Sequence, residues 1–248
     1  MNILIPGHLP SDRFARRSWL KTACGVLGFA GTVFGAQSAA TRDSALTKEQ
    51  RDRLTPDDVI AEMKLGNQRF REGKAHPHDY RAQKRSSAQG QYPSAIVLGC
   101  IDSRAPAEII LDTGIGDTFN ARIAGNVVND DVLGSMEFAC AVAGAKAILV
   151  LGHTACGAIR GAIDDVEMGN LTGLLARVKP AITATTYEGE KSSKNPAYVD
   201  AVARANILHA AGMIRQRSKI LADLENKGSL KVAGAMYDLA TGQVTFLS

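Results

Sequence analysis

Aromatic residues, cysteines and long hydrophobic runs are all scarce in this chain of 248 residues. Aromatics make up 5% of it, against 24 glycines, a balance that favours an α/β fold over an all-β one. No internal repeat or low-complexity tract is present. The apolar stretch after Lys21 is too short and too rich in glycine for a transmembrane helix, so we expect no membrane anchor.

The chain also lacks a strong excess of charge where a folded body is expected. The formal net charge is +4, but residues 1–40 carry four basic side chains and one acidic one. The remaining 208 residues are therefore close to neutral. A neutral body gives no electrostatic reason to expect a nucleic-acid partner or a membrane surface.

Residues 1–40 have the layout of an export signal. Arg16 and Arg17 precede a modest apolar run and then small residues around "SAA", as in a twin-arginine leader, with Trp19 at the position where phenylalanine is usual. An amphipathic or disordered N-terminus is the alternative. We predict a signal peptide over 1–40, cleaved near Ala40 or Ala36, and a periplasmic mature protein over 41–248. Such leaders export folded cargo.

Three cysteines remain after the leader, Cys100, Cys140 and Cys156. An odd number in a chain of this size does not indicate a disulfide framework. Cys140 lies in the apolar helical pattern "SMEFACAVAGA", which predicts an inert core residue. Cys100 and Cys156 are left to explain.

The order of elements predicts a mainly parallel central sheet flanked by helices, with an N-terminal helical arm over 55–74. Thr55 and Pro56 form a strong helix start, and the arm carries an apolar stripe from Val59 to Phe70 that suits a neighbouring subunit or its own domain. Apolar strands then alternate with helices at "SAIVLG", "DTFNARIAG" and "KAILVLGH". Helices are predicted around 171–183 and 196–224. The final segment predicts two strands around a turn at 240–242.

Two motifs follow the carboxyl ends of strands, where α/β proteins place their sites. "CIDSR" begins at Cys100, and "HTACG" begins at His153 and contains Cys156. Two thiolates and one imidazole are ligands suited to Zn²⁺, and three protein ligands leave the open position typical of a catalytic zinc. Taken singly, Cys100 is more simply interpreted as a buried strand cysteine, and His153 as a hydrogen-bonded polar residue at a strand end.

The two motifs resemble the β-class carbonic anhydrases closely. The likeness extends from Thr55 to Leu247 and includes "GQYP", "GDTF" and "GAMYDLATGQV". It implies one Zn²⁺ per subunit on Cys100, His153 and Cys156, and hydration of CO₂ to bicarbonate. It also implies a homodimer or a dimer of dimers, with each site at a subunit interface.

The resemblance also implies roles for residues near the metal. Asp102, paired with Arg104, either orients zinc-bound water or closes onto the metal as a fourth ligand in an inactive state. Gln91, Phe119 and the backbone of Gly157 correspond to substrate-binding positions. We expect activity to fall below about pH 7.5, as bound water takes up a proton.

Three departures from the family pattern are visible. Phe138 replaces a frequent tyrosine, and Ile123 replaces a frequent asparagine. Val97 replaces the tryptophan of a regulatory bicarbonate site, so no such site is expected.

Other functions stay open at this point. They are hydrolysis of CS₂ or COS on the same scaffold, and a non-catalytic zinc or thiol-redox protein. A proton-shuttle role for His76 and His78 is conceivable, but the connective sequence around them favours solvated loop histidines.

Overall fold

A computed structural model describes residues 41–247. The predicted signal peptide lies outside the described residues. None of the helices in the described part has both the length and the hydropathy needed to cross a membrane.

The centre of the fold is a five-stranded sheet with the order β2-β1-β3-β4-β5. Its strands are β1 (Ala95–Gly99), β2 (Thr118–Arg122), β3 (Ala147–His153), β4 (Lys231–Tyr237) and β5 (Val244–Leu247). The first four are mutually parallel, and β5 runs antiparallel to β4. The mainly parallel sheet is confirmed, as are the two closing strands.

Ten helices flank the sheet in the described residues. They are α1 (Lys48–Arg53), α2 (Pro56–Arg71), α3 (Tyr80–Ser87), α4 (Ala107–Ile110), α5 (Asp130–Glu137), α6 (Gly157–Ile163), α7 (Gly169–Leu175), α8 (Lys179–Ala184), α9 (Pro196–Arg217) and α10 (Lys219–Asn226). A π-helical turn, Phe138–Val142, continues α5. Every residue of β1 and β3 is buried, because helices cover both faces of the sheet.

Alternate residues of the central strands enter two separate cores. Ile96, Leu98 and Ile148 pack on the side that carries α5, α6 and α9. Val97 and Leu149 pack on the opposite side, against α2 and α4. This alternation decides which of the two cores each strand residue enters.

The N-terminal arm packs on its own domain. Thr55 accepts a hydrogen bond from the amide of Asp58 in a capping box, as the sequence indicates, and α2 buries Val59, Ile60 and Met63. Leu65 is about half exposed, so the predicted stripe is buried only in part. A Cβ on Gly66 would lie 1.9 Å from the carbonyl oxygen of Leu111, so α2 approaches α4 more closely than any other residue type allows.

Two predicted helices are interrupted, which corrects the expected boundaries. The segment 171–183 is divided into α7 and α8 by a 3₁₀ turn, Ala176–Val178. The segment 196–224 breaks at Ser218, whose backbone is extended (φ −114°, ψ 102°). The Ser218 hydroxyl accepts from the amide of Leu221 and donates to Glu137, so it caps α10 instead of continuing α9.

Candidate metal centre

Cys100 directly follows β1, and its thiol is held by the turn that follows the neighbouring strand β2. The residue is 4% exposed. Its Sγ accepts a hydrogen bond from the backbone N–H of Gly125 at 3.3 Å, and Gly125 has a positive φ of 67° that favours glycine. The loop after β2 therefore brings an N–H donor to a sulfur that carries negative charge.

His153 ends β3, and only one of its two ring nitrogens has a hydrogen-bond partner. Its Nδ1 lies 2.9 Å from the carbonyl oxygen of Thr154, so Nδ1 carries the proton and donates it there. Its Nε2 is buried without a hydrogen-bond partner. A buried lone pair without a donor is unfavourable in a protein and fits a position next to a metal ion.

Cys156 is the N-cap residue of α6, and its side chain forms one group with those of Cys100 and His153. The two Sγ atoms and one His153 nitrogen lie within 4.8 Å of one another, and all three residues are buried. This group is the one set of three or more such ligands found between residues 41 and 247. Because β1 and β3 are parallel neighbours, their carboxyl ends bring Cys100 and His153 together as the motifs predict. Two sulfurs and an imidazole nitrogen fit Zn²⁺.

The two thiols titrate as a pair. The nearby Cys156 thiol, together with His153 and the Gly125 N–H, lowers the pKa of Cys100 to about 4 against the effect of burial. The same pairing, together with burial, raises the pKa of Cys156. Burial lowers the pKa of His153, but the contacts with Cys100 and Thr154 outweigh it and raise that pKa. A thiolate is thus already favoured in this group, and a divalent cation would displace the remaining proton.

Asp102 lies beside this group and is paired with Arg104. Arg104 donates from Nε to Oδ1 at 2.9 Å, from Nη2 to Oδ2 at 2.8 Å, and from its backbone N–H to Oδ1 at 2.9 Å. These hydrogen bonds hold the pKa of Asp102 well below its ordinary value, so the carboxylate is ionised at neutral pH. Asp102 Oδ2 lies 3.8 Å from His153 Nε2. The structure therefore describes the Arg104-paired position of Asp102.

Arg122, which belongs to neither metal-binding motif of the sequence, holds the backbone of the first motif. It ends β2 and donates from Nε to the carbonyl of Cys100 at 2.9 Å and from Nη2 to the carbonyl of Asp102 at 2.6 Å. These two bonds fix the backbone on both sides of Ile101. Nothing in a single sequence distinguishes such an arginine from a solvated one at a strand end.

A cavity of about 290 Å³ opens beside the thiol of Cys100. Gly157 and Asp102 lie on its wall with mainly apolar neighbours: Ile101, Ala124, Ala158, Gly161, Val166, Leu171 and Leu175. Gly157 thus lines the cavity next to Cys100, and its substrate-binding role stays a prediction. An apolar wall with one carboxylate suits a small uncharged molecule.

Two other predicted pocket residues do not lie in this cavity. Gln91 is exposed on the segment before β1. Phe119 lies on β2 in a separate open groove, where its ring meets Phe138 edge-on with centroids 6.3 Å apart. Within one chain, neither residue lines the cavity next to Cys100, and their substrate-binding roles stay predictions.

His76 and His78 are hydrogen-bonded and only partly exposed, which corrects the expectation of solvated loop histidines. His76 Nδ1 lies 2.8 Å from Asp112 Oδ2, and His78 Nε2 lies 3.1 Å from Asp112 Oδ1. Arg69 donates from Nε to Asp112 Oδ2 at 2.5 Å. These groups join α2 and the segment after it to Asp112, two residues beyond α4.

Cys140 lies on the π-helical turn and is 5% exposed in the core. Burial raises the pKa of its thiol to about 12, so this cysteine stays protonated. It does not belong to the Cys100 group.

Comparison with known proteins gives a consistent result. A sequence model described as "Carbonic anhydrase" matches residues 95–244. Carbonic anhydrase 2 of Mycobacterium tuberculosis is 35% identical over 187 residues, which cover 73% of this chain and 87% of that protein. The carbonic anhydrase of Mycolicibacterium smegmatis is 34% identical over 188 residues, covering 75% and 90%.

Solved structures agree on the fold. One of two tetrameric β-carbonic anhydrases from Sordaria macrospora is 25% identical, with a TM-score of 0.60 over 77% of this chain and 98% of that one. The β-carbonic anhydrase CcaA is 23% identical, with a TM-score of 0.61 over 77% and 95%. With these matches and the Cys100, His153 and Cys156 group, the chain belongs to the β-class of the carbonic anhydrase family.

Proposed function

We propose that this chain catalyses the reversible hydration of CO₂ to bicarbonate, with Zn²⁺ held by Cys100, His153 and Cys156. The observation that carries the proposal is the buried group of two sulfurs and one imidazole whose Nε2 has no other partner. Bound there, Zn²⁺ supplies a Lewis acid that brings the pKa of water from about 15.7 towards 7.

The residues around the metal position orient the Asp102 carboxylate, bind substrate and disfavour charged competitors. Arg104 holds the Asp102 carboxylate through two side-chain hydrogen bonds, so Asp102 accepts a hydrogen bond next to the metal position in a fixed direction. The apolar cavity wall takes CO₂ without stabilising a charged competitor. The backbone of Gly157, which starts α6, is the donor we assign to a substrate oxygen.

The direct test is stopped-flow CO₂ hydration together with metal analysis. We expect about one zinc per chain and rapid hydration in the wild type, and loss of both in Cys100→Ala. Cys140→Ala removes a buried thiol outside the group and should retain both. Assays with CS₂ and COS belong to the same experiment, and turnover of these without CO₂ hydration would overturn the proposal.

We further propose that two chains form a dimer across the outer edge of β2. This edge pairs with no other strand between residues 41 and 247, and Phe138 next to it is 52% exposed. Free strand edges and exposed aromatic rings favour association. If the Phe119–Phe138 face of one chain covers the cavity of a second chain, Phe119 lines a site although it is distant from its own Cys100.

Subunit complementation tests this arrangement. Cys100→Ala lacks a metal ligand and Phe119→Ala lacks the aromatic wall, so each homodimer should be weakly active. Refolded as an equal mixture, half of the dimers combine the two variants and hold one intact site, so about a quarter of wild-type activity should return. No recovery in mixed dimers that are seen by mass spectrometry would place Phe119 outside the partner's site.

Export by the twin-arginine route is also proposed. Its support is the Arg16–Arg17 pair and the neutral body that follows. We expect a mature N-terminus near residue 41 in the periplasm, and retention of the full chain in the cytoplasm for the double variant Arg16→Lys, Arg17→Lys. A mature periplasmic protein that begins at Met1 would contradict it.

A further inference from the structure

The turn between His153 and Cys156 has an unusual backbone. Only Thr154 and Ala155 separate the two metal-ligating residues, so the shape of this turn sets the position of one sulfur relative to the imidazole. Ala155 has a φ of 53°, in the left-handed region that residues other than glycine rarely adopt. Surrounding contacts must hold it there.

Three hydrogen bonds hold the turn from outside. The Thr154 N–H donates to the carbonyl of Tyr237 at 2.9 Å, and the N–H of Leu239 donates to Thr154 Oγ1 at 3.0 Å. Both of these act on Thr154. The strained residue itself is held by a side chain, because the Ala155 N–H donates to Asp200 Oδ1 at 2.9 Å.

Asp200 comes from a different part of the fold, 45 residues further along the chain. It lies on α9, where its neighbours Val199, Val202 and Ala203 are buried in the core against the sheet. The carboxylate is therefore attached to a packed helix, and a hydrogen bond from an amide to an ionised carboxylate is among the stronger ones in proteins.

We propose that Asp200 is a positioning residue of the metal centre. By accepting a hydrogen bond from the Ala155 N–H, Asp200 keeps Ala155 in the left-handed conformation. This conformation directs Cys156 Sγ towards Cys100 and His153. Without this acceptor, Ala155 relaxes to a negative φ and carries Cys156 away from the other two ligands. The inference rests on the proposed zinc role of these three residues.

The test measures zinc release from the loaded protein. Zinc transfer to a chromophoric chelator should be about 10- to 100-fold faster in Asp200→Ala, the range typical for residues that support metal ligands. Asp200→Asn keeps an oxygen acceptor and should stay within about threefold of the wild type. Leu208→Ala, at an exposed position of the same helix, is the control and should change nothing.

Cobalt substitution adds a spectroscopic readout. The thiolate-to-cobalt absorption band should shift or weaken in Asp200→Ala and return in Asp200→Asn. Asp200→Leu, which also lacks an acceptor, serves if Asp200→Ala is recovered unfolded. Wild-type release rates and an unchanged band in the variants without an acceptor would overturn the inference, as would an Asp200→Asn as impaired as Asp200→Ala. A wild type that holds no zinc would instead overturn the proposed function.

Discussion

Two clusters of titratable side chains in this molecule differ in one respect. In the cluster around Asp112, both carboxylate oxygens of Asp112 and both ring nitrogens of His78 have hydrogen-bond partners. Gln83 accepts from the N–H of Ile115 and donates to the Arg42 carbonyl and to His78 Nδ1, which leaves the His78 Nε2–H to donate to Asp112. The cluster around Cys100 instead leaves His153 Nε2 without a partner.

The difference separates a structural network from a binding site. Evenly matched donors and acceptors, as around Asp112, stabilise a fold and leave nothing for a ligand. The Cys100 cluster is incomplete without a cation, and that incompleteness indicates function more directly than the residue types do. Both clusters contain histidine and aspartate, so matched substitutions can test the comparison.

The largest effect is expected from the histidine pair. His153→Ala removes a metal ligand, so zinc content should fall to near zero and CO₂ hydration should drop by about 10³-fold or more. His78→Ala removes a histidine from the satisfied cluster, so zinc content and hydration rate should stay near those of the wild type. Metal analysis and stopped-flow assays on both variants check this, and zinc loss in His78→Ala would erase the distinction.

The aspartate pair should separate activity from stability, because Asp102→Asn should lower activity and Asp112→Asn should lower stability. Asp102→Asn keeps the shape but loses the charge that Arg104 orients, so we expect hydration to fall about 10- to 100-fold with zinc retained. The pKa of Asp102 lies well below neutral, so its protonation does not cause the fall in activity near pH 7. The midpoint of the pH profile should therefore move by less than about one unit in the variant.

Asp112→Asn should leave activity intact and cost stability. The Asp112 side chain is 1% exposed and contacts Arg69 and both histidines, so the loss of its charge should lower the free energy of unfolding by about 2–4 kcal/mol. Chemical denaturation of both proteins measures this. A variant with wild-type stability and reduced hydration would reverse the roles assigned to the two clusters.

The sequence was sufficient to predict the Cys100 cluster but not the Asp112 cluster. Cys100, His153 and Cys156 lie at strand ends within short motifs, and parallel neighbouring strands leave little choice about where such ends meet. Asp112 is different, because its contacts join residues 34 to 43 positions apart, with α3, β1 and α4 between them. Local patterns carry no information on such pairings, which is why the histidines there were expected to be solvated.

The same limit applies to the residues that support the site. Arg122 and Asp200 act through backbone groups of Cys100, Asp102 and Ala155. Their side chains have no spacing pattern with those partners, and only the folded chain brings them together. The break at Ser218 was missed for a related reason, since the serine that caps α10 is also held by its contact with Glu137, 81 residues earlier in the chain.

Acidification should have a smaller effect, which is on the stability difference between the wild type and Asp112→Asn. Burial raises the pKa of Asp112, but hydrogen bonds from Arg69, His78 and His76 outweigh it, and the folded-state pKa is lowered. A lowered pKa contributes stability above the unfolded-state value of about 3.9, and this contribution is lost as the pH falls through the folded-state value. The stability difference between wild type and Asp112→Asn should therefore shrink from pH 5 to pH 3. A constant difference over that range would show that the Asp112 charge contributes nothing.

The smallest effect is expected at the third cysteine. Cys140 is buried, protonated and outside the metal-ligating group, so Cys140→Ala removes one sulfur from the core and should lower the free energy of unfolding by about 1 kcal/mol. Zinc content, hydration rate and zinc release should all match the wild type, because this thiol does not belong to the Cys100 group. Denaturant titration and metal analysis on the same preparation check both parts. A Cys140→Ala protein that released zinc faster would mean that core packing behind the sheet, and not the local contacts of the turn, sets the geometry of the ligands.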